Sequence, residues 1–296
     1  MFKRIFLFGL TNIAVLAVLA VVASLFGVDR RMMDGSGGLN LQALMVFSLI
    51  WGMAGSLISL ALSKWSAKRM TGAHVIESPR NETEQWLVST VERQARQAGI
   101  GMPDVAIYDS PEVNAFATGA RRNSALVAVS AGLLNSMSRE EAEAVLGHEI
   151  SHVANGDMVT LTLLQGVLNA FVIFFSRIAG HVVDSALRGG RSGGGGIGYF
   201  AVSMLMQVVL GFLATIIVRW FSRYREFRAD AGGAQLAGRD KMIGALRRLG
   251  GREAHDLPQQ MAAMGISGGM RAGFSRLFST HPPITERIAH LQQLRH

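Results

Sequence analysis

Apolar and polar positions follow two different rhythms along this chain. Four long runs are almost wholly apolar: Ile5 to Gly27, Leu39 to Leu62, Met158 to Phe175 and Ile197 to Val218. As helices, all four are long enough to cross a hydrocarbon core. The first sits where a secretory leader would, but it is long and no small-residue cleavage site follows, so it reads as a retained anchor. The third continues less cleanly past Arg177 and His181. The alternative for the third and fourth is a helical hairpin docked on a soluble domain and only partly in lipid.

Between the second and third runs the pattern becomes that of an α+β unit. Glu82 to Ala98 is amphipathic at helical spacing and ends at Gly99. Val105 to Tyr108 reads as a short strand. Asn114 to Gly119 and Ser124 to Val129 read as a strand pair around the turn Gly119-Ala120-Arg121-Arg122-Asn123. Ser138-Arg139-Glu140-Glu141 is a capping box that opens a helix with apolar positions at Ala142, Val145, Leu146, Ile150 and Val153. Asn155-Gly156 predicts its stop. Near the C-terminal end, Pro282 to Leu294 predicts one more helix. The chain therefore divides into 1–63 (two spans), 64–157 (soluble), 158–218 (two spans joined by a glycine-rich loop) and 219–296 (soluble).

Charge changes the picture by orienting the spans. The 296 residues carry a net charge of +8. Lys3, Arg4, Lys64, Lys68, Arg69, Arg219, Arg223, Arg225 and Arg228 flank one side of the runs; Arg30, Arg31, Arg188 and Arg191 lie on the other. That asymmetry places both termini and the soluble parts in the cytoplasm. It also explains the basic balance by the membrane and leaves nucleic acid without a role. Cysteine is absent, which excludes disulfides and thiol chemistry and leaves His, Asp and Glu as metal ligands. The loop Gly189 to Gly196 lacks the G-K-[ST] ending of a phosphate loop and reads as a linker.

Chemistry concentrates in His148-Glu149-Ile150-Ser151-His152. Residues four apart share a helix face, so His148 and His152 can present two imidazoles to one ion with Glu149 beside it. This is the H-E-x-x-H pattern of zinc metalloproteases; the bland alternative is two histidines on an exposed face. A hydrolytic zinc site needs a third protein ligand. Glu226 is the best candidate, against an ion pair with Arg223 or Arg225, and it opens a further helix after the fourth run. Asp230, one turn on, can orient a ligating histidine, against the alternative of a solvated charge. The pair Asn114–Gly119 and Ser124–Val129 can offer an edge to an extended peptide, or can simply complete a sheet.

Taken together, Asn114-Ala115-Phe116-Ala117, the run His148 to Asp157, Arg225-Glu226-Phe227-Arg228-Ala229-Asp230 and Ser279-Thr280-His281-Pro282-Pro283 resemble the HtpX family of bacterial membrane zinc metalloproteases, relatives of the CaaX prenyl proteases. The resemblance covers essentially the whole chain. It implies helical membrane spans plus an α+β zincin-like (gluzincin) protease domain in the cytoplasm. It implies one Zn2+ per chain held by His148, His152 and Glu226, with Glu149 as general base. It also implies an oxyanion-stabilising role for His281 and a substrate-binding role for Asn114.

The expected protein is thus a multi-pass enzyme of the bacterial inner membrane. It would cut damaged or misfolded membrane proteins as a stress response, with the bilayer and other membrane proteases as partners. A CaaX-type prenyl protease shares the metal chemistry, but four spans are few for an enclosed chamber. A metal-containing scaffold would have no use for Glu149. His74, His255, His290 and His296 read as surface residues, and Met261, Met264 and Met270 as part of a lid or a loop.

Overall fold

The computed structural model describes residues 39–187, 197–253 and 281–294. The first apolar run, the glycine-rich loop, the methionine segment and Ser279-Thr280 lie outside the described residues. The chain divides into two compact units, Met1–Ile58 with Thr162–Thr215 and Ser59–Leu161 with Ile216–His296.

The second unit holds a four-stranded sheet in the order β1-β2-β4-β3, built from β1 (His74–Val75), β2 (Asp104–Tyr108), β3 (Ala115–Thr118) and β4 (Leu126–Ser130). β2 and β4 are parallel; β1 pairs with β2, and β3 with β4, antiparallel. All five residues of β4 are buried, as a central strand requires. β3 is an edge, in register Ala115 to Val129 and Thr118 to Leu126.

Helix α1 (Leu41–Thr71) leads into β1, and α2 (Glu82–Gln97) follows it. α3 (Ala131–Ser136) and α4 (Arg139–Asn155) follow β4. Leu87, Val91 and Ala95 of α2 pack with Leu146 and Ile150 of α4 against Val105, Val127 and Val129 of the sheet. This places α4 across one sheet face. Its start is the capping box expected from Ser138 and Glu141, and its stop is Gly156 at φ 68°, ψ 31°. That left-handed conformation favours glycine and ends the helix.

α5 (Asp157–Leu187) begins at once. α6 (Ile197–Ala237) then runs 41 residues without a break. The fourth apolar run is therefore only the first part of a longer helix, and Glu226 does not open a new one. No proline interrupts it, and a fall in hydropathy at Arg219 does not end a helix whose hydrogen bonds stay local. α7 (Arg239–Glu253) and α8 (Ile284–Gln293) complete the unit. Met242, Ile243, Ala245, Leu246 and Leu291 bury against Ala144 of α4. α8 starts two residues later than expected: Pro283 occupies its N-cap at φ −52°, ψ 136°, outside the helical range, and Pro282 is excluded because a residue before proline avoids helical dihedrals.

The first unit is made of α1, α5 and α6 segments. Leu44 and Phe47 pack with Ile173, Phe174 and Ile178. Phe171, Leu205 and Val208 are exposed. Three helices among the described residues, α1, α5 and α6, are long and apolar enough to cross a membrane. Hydrocarbon suits such outward faces, because helices satisfy their own backbone polar groups.

Candidate active site

α4 carries His148 and His152 on one buried face. Their Nε2 atoms converge at 3.1 Å. Glu226 on α6 completes the group, its carboxylate 3.6 Å from His148 Nε2 and 3.4 Å from His152 Nε2. The donor atoms of these three residues all lie within 4.8 Å of one another.

Small residues let α6 approach α4 this closely. A Cβ on Gly233 would sit 3.0 Å from the His148 backbone nitrogen, and one on Gly232 would sit 2.5 Å from Ser151 Oγ. Glu226 and Asp230, four apart on α6, consequently face the metal helix together.

Each imidazole turns its other nitrogen to a carboxylate. His152 Nδ1 lies 2.7 Å from Asp157 Oδ2. His148 Nδ1 lies 2.9 Å from Asp230 Oδ1, a contact at hydrogen-bond distance but bent from the N–H axis. Both carboxylates favour a proton on Nδ1 and a lone pair on Nε2, which a metal ion requires. Asp230 is itself clasped by Arg287 of α8, whose Nε and Nη2 donate at 2.7 and 2.6 Å. Arg228 donates to Asp157 at 2.6 Å, and buried Arg225 donates to the Asp157 carbonyl at 3.0 Å.

The field at the site is negative. Burial alone would drive the proton from His148, yet Asp230 and Glu226 overcome it and hold the pKa at about 9. His152 is likewise raised against burial, by Asp157 and Glu226. A field that stabilises an imidazolium also stabilises a divalent cation among the same donors. Two imidazoles and a carboxylate, each imidazole backed by a further carboxylate, fit a zinc-type site with one position left for water.

Glu149 sits beside this group and accepts a 2.8 Å hydrogen bond from the Ala117 N–H of edge strand β3. His281, with 62% of its side chain exposed, places Nδ1 2.7 Å from Glu226 Oε2. Asn114 is exposed just before β3, and its backbone is tied to Ser130 through both N–H and carbonyl. His148, Glu149, His152, Glu226, Asp230 and His281 thus come together, with Asn114 at the start of the adjoining edge. Sequence reasoning gave no site role to Asp157 and Arg228, which stand inside the quoted motifs, and missed Arg287 altogether. Asp157 had one signal, an acidic residue at the foot of an apolar run, five residues after His152. Arg287 had none. His290, expected at the surface, is half-buried, with its ring 5.0 Å from that of Phe227.

Residues 81–295 match the profile of peptidase family M48. The chain belongs to this family. It is 62% identical over 291 residues to a protein described as a protease HtpX homolog from Nitrosomonas eutropha, covering 98% of this chain and 99% of that one. It is 60% identical over 293 residues to protease HtpX of Xanthomonas euvesicatoria pv. vesicatoria, covering 99% and 98%. Its fold is similar to the crystal structure of S. mikatae Ste24p, with a TM-score of 0.60 at 19% identity. That alignment covers 95% of this chain and 65% of the other. This M48 peptidase is a membrane metalloprotease, a helical membrane protein with a zincin-like α+β part, and its substrates are proteins.

Proposed function

We propose that this peptidase is a zinc-dependent endopeptidase of the bacterial inner membrane that cuts damaged or misfolded membrane proteins from the cytoplasmic side. Segments 64–157 and 219–296 form its protease domain, and 1–63 and 158–218 its membrane part. His148, His152 and Glu226 hold one Zn2+. The observation that carries this reading is the convergence of two Nε2 atoms and one carboxylate beside a glutamate anchored on an edge strand.

Bound zinc would supply Lewis acidity toward the scissile carbonyl and the attacking water. Glu149 takes the water's proton and delivers it to the leaving amine. His281 donates to the carbonyl oxygen as negative charge develops there, an interaction worth about 3 kcal/mol. Its anchor on Glu226 fixes the ring. Asp230 orients His148, and Asn114 and the β3 edge bind the substrate backbone. Other membrane proteases are candidate partners.

The test is Glu149→Gln in detergent with a membrane-protein substrate. Retained zinc with cleavage reduced at least about a thousandfold supports the reading. Undiminished cleavage would sink it. A reporter fused after His296 should read as cytoplasmic.

A further inference from the structure

The second unit contains a cavity of about 240 Å3 that the mechanism above does not use. One wall is the chain leaving edge strand β3, Gly119 to Arg122. The other is the end of α4 and the first turn of α5, including Val153, Gly156 and Val159. Its position follows from the strand. Ala117 turns its N–H away from β4 to Glu149, so alternate residues of β3 present their backbone groups outward. The next outward residue is Gly119, where φ reaches 137° and the chain bends around the cavity. A peptide extended along β3 past Glu149 advances roughly 3.3 Å per residue. Within two to four residues of the reacting bond it reaches this cavity.

Arg121 and Arg122 both line it, and both are exposed. Among the described residues neither guanidinium is paired with a carboxylate. Asp157, next to the cavity-lining Gly156, is already held by His152 and Arg228. Arg122 leans over Gly156, where a Cβ would lie 3.4 Å from its Nη2. The negative end of α4 accounts for part of that placement. It accounts for nothing at Arg121, and it leaves the Arg122 fork at the cavity wall.

We infer that this cavity is a substrate subsite for an acidic side chain, Asp or Glu, two to four residues from the scissile bond, with Arg121 and Arg122 as its specificity-determining residues. The carboxylate accepts charge-assisted hydrogen bonds from the two forks, while the backbone of the same peptide pairs with β3. A lysine at that position is repelled. Charge thereby sets the register of an extended peptide, which main-chain pairing alone leaves free to slip. The inference rests on the peptidase reading of the neighbouring site.

The test uses internally quenched peptides identical except for Glu, Gln or Lys placed in turn two, three and four residues to either side of the cleaved bond. With the full-length zinc-loaded protein in detergent, kcat/KM should favour Glu over Lys by about tenfold on one side only, mainly through KM, and less at high salt. Arg121→Glu and Arg122→Glu should each reverse that ratio, and Arg121→Lys should largely keep it. The ratio is internal to each protein, so partial loss of folding does not imitate the effect. Binding of the same peptides to Glu149→Gln, followed by fluorescence anisotropy, gives the same ranking without requiring turnover. Failure of all cleavage with the Glu preference intact in binding would indict the catalytic reading and not the subsite. Two results overturn the subsite: Glu-to-Lys ratios that the charge reversals leave unmoved, or an effect of those reversals that emerges only with vesicles containing phosphatidylglycerol and is indifferent to peptide charge. The second result would assign the cavity to a lipid headgroup.

Discussion

The backbone N–H of Ala117 donates to Glu149 Oε2 at 2.8 Å, joining the edge strand to the metal helix at the residue proposed as general base. The bond lies on the unpaired side of β3, so a proline there breaks no ladder hydrogen bond. Ala117→Pro is expected to fold and retain metal but to lose roughly 10- to 100-fold in kcat, because an unanchored carboxylate spends less time in the productive geometry. Steady-state kinetics alongside metal analysis checks this. Full kcat in the proline variant would show that the anchor does not matter.

Arg287 grips Asp230 with two nitrogens and also stands 3.6 Å from the Glu226 carboxylate. Arg287 is buried, and its own pKa is raised because Asp230 outweighs the effect of burial. Arg287→Leu removes the two donors that hold the buried Asp230 carboxylate in place beside His148. Zinc affinity should fall about 10- to 100-fold, as it does when such outer partners are removed. Asp157→Asn should cost a similar amount through His152. Competition with a chelator measures both. Equal zinc retention in all three proteins would count against these outer carboxylates as tuning elements.

Asp104 at the start of β2 supplies the pH dependence that is simplest to isolate. Burial pushes its carboxyl up, but Lys68 and Lys64 prevail and hold it below 3.8. A depressed folded-state value contributes stability that is fully present above 3.8 and is lost as the pH falls through the lower folded value. The side chain is 36% exposed, so solvent screening limits the effect to less than about 1 kcal/mol. Thermal midpoints should therefore differ slightly between wild type and Asp104→Asn at pH 6, and the difference should shrink below pH 4 and at high salt.

The elements that local rules govern were legible in the sequence. α4 was written in its capping box, its four-residue histidine spacing and Asn155-Gly156. The pair β3 and β4 was written in two short, largely apolar runs either side of a turn. Long-range relations were less legible. Glu226 stands more than 70 residues beyond His152, where no periodicity connects them, so spacing alone left it level with an ion pair. Arg287 carries no local mark of its burial; Asp230 and Glu226, more than 50 residues away, make that burial favourable. The unbroken α6 was obscured because a drop in hydropathy marks where lipid would end, while helix continuity depends on backbone bonding.

Glycine at position 232 should respond to alanine in the opposite sense from glycine at 244. In an ordinary helix interior the change stabilises by about 1 kcal/mol. Gly244 on α7 has nothing within 4 Å of a new Cβ, so Gly244→Ala should follow that rule. At Gly232 the Cβ would stand 2.5 Å from Ser151 Oγ and 2.9 Å from Ser151 Cβ. Ser151 Oγ is already committed to the Gly147 carbonyl at 2.7 Å, so it cannot swing aside without losing that bond. The helices must part instead, at a cost of about 1–3 kcal/mol. Asp230 lies two residues away on the same helix, so parting carries it and Glu226 away from the imidazoles. Gly232→Ala should lower both the thermal midpoint and zinc retention, while Gly244→Ala raises the first and leaves the second alone. A Gly232→Ala protein as stable and as zinc-rich as wild type would mean that close packing of α6 on α4 does not position the third ligand.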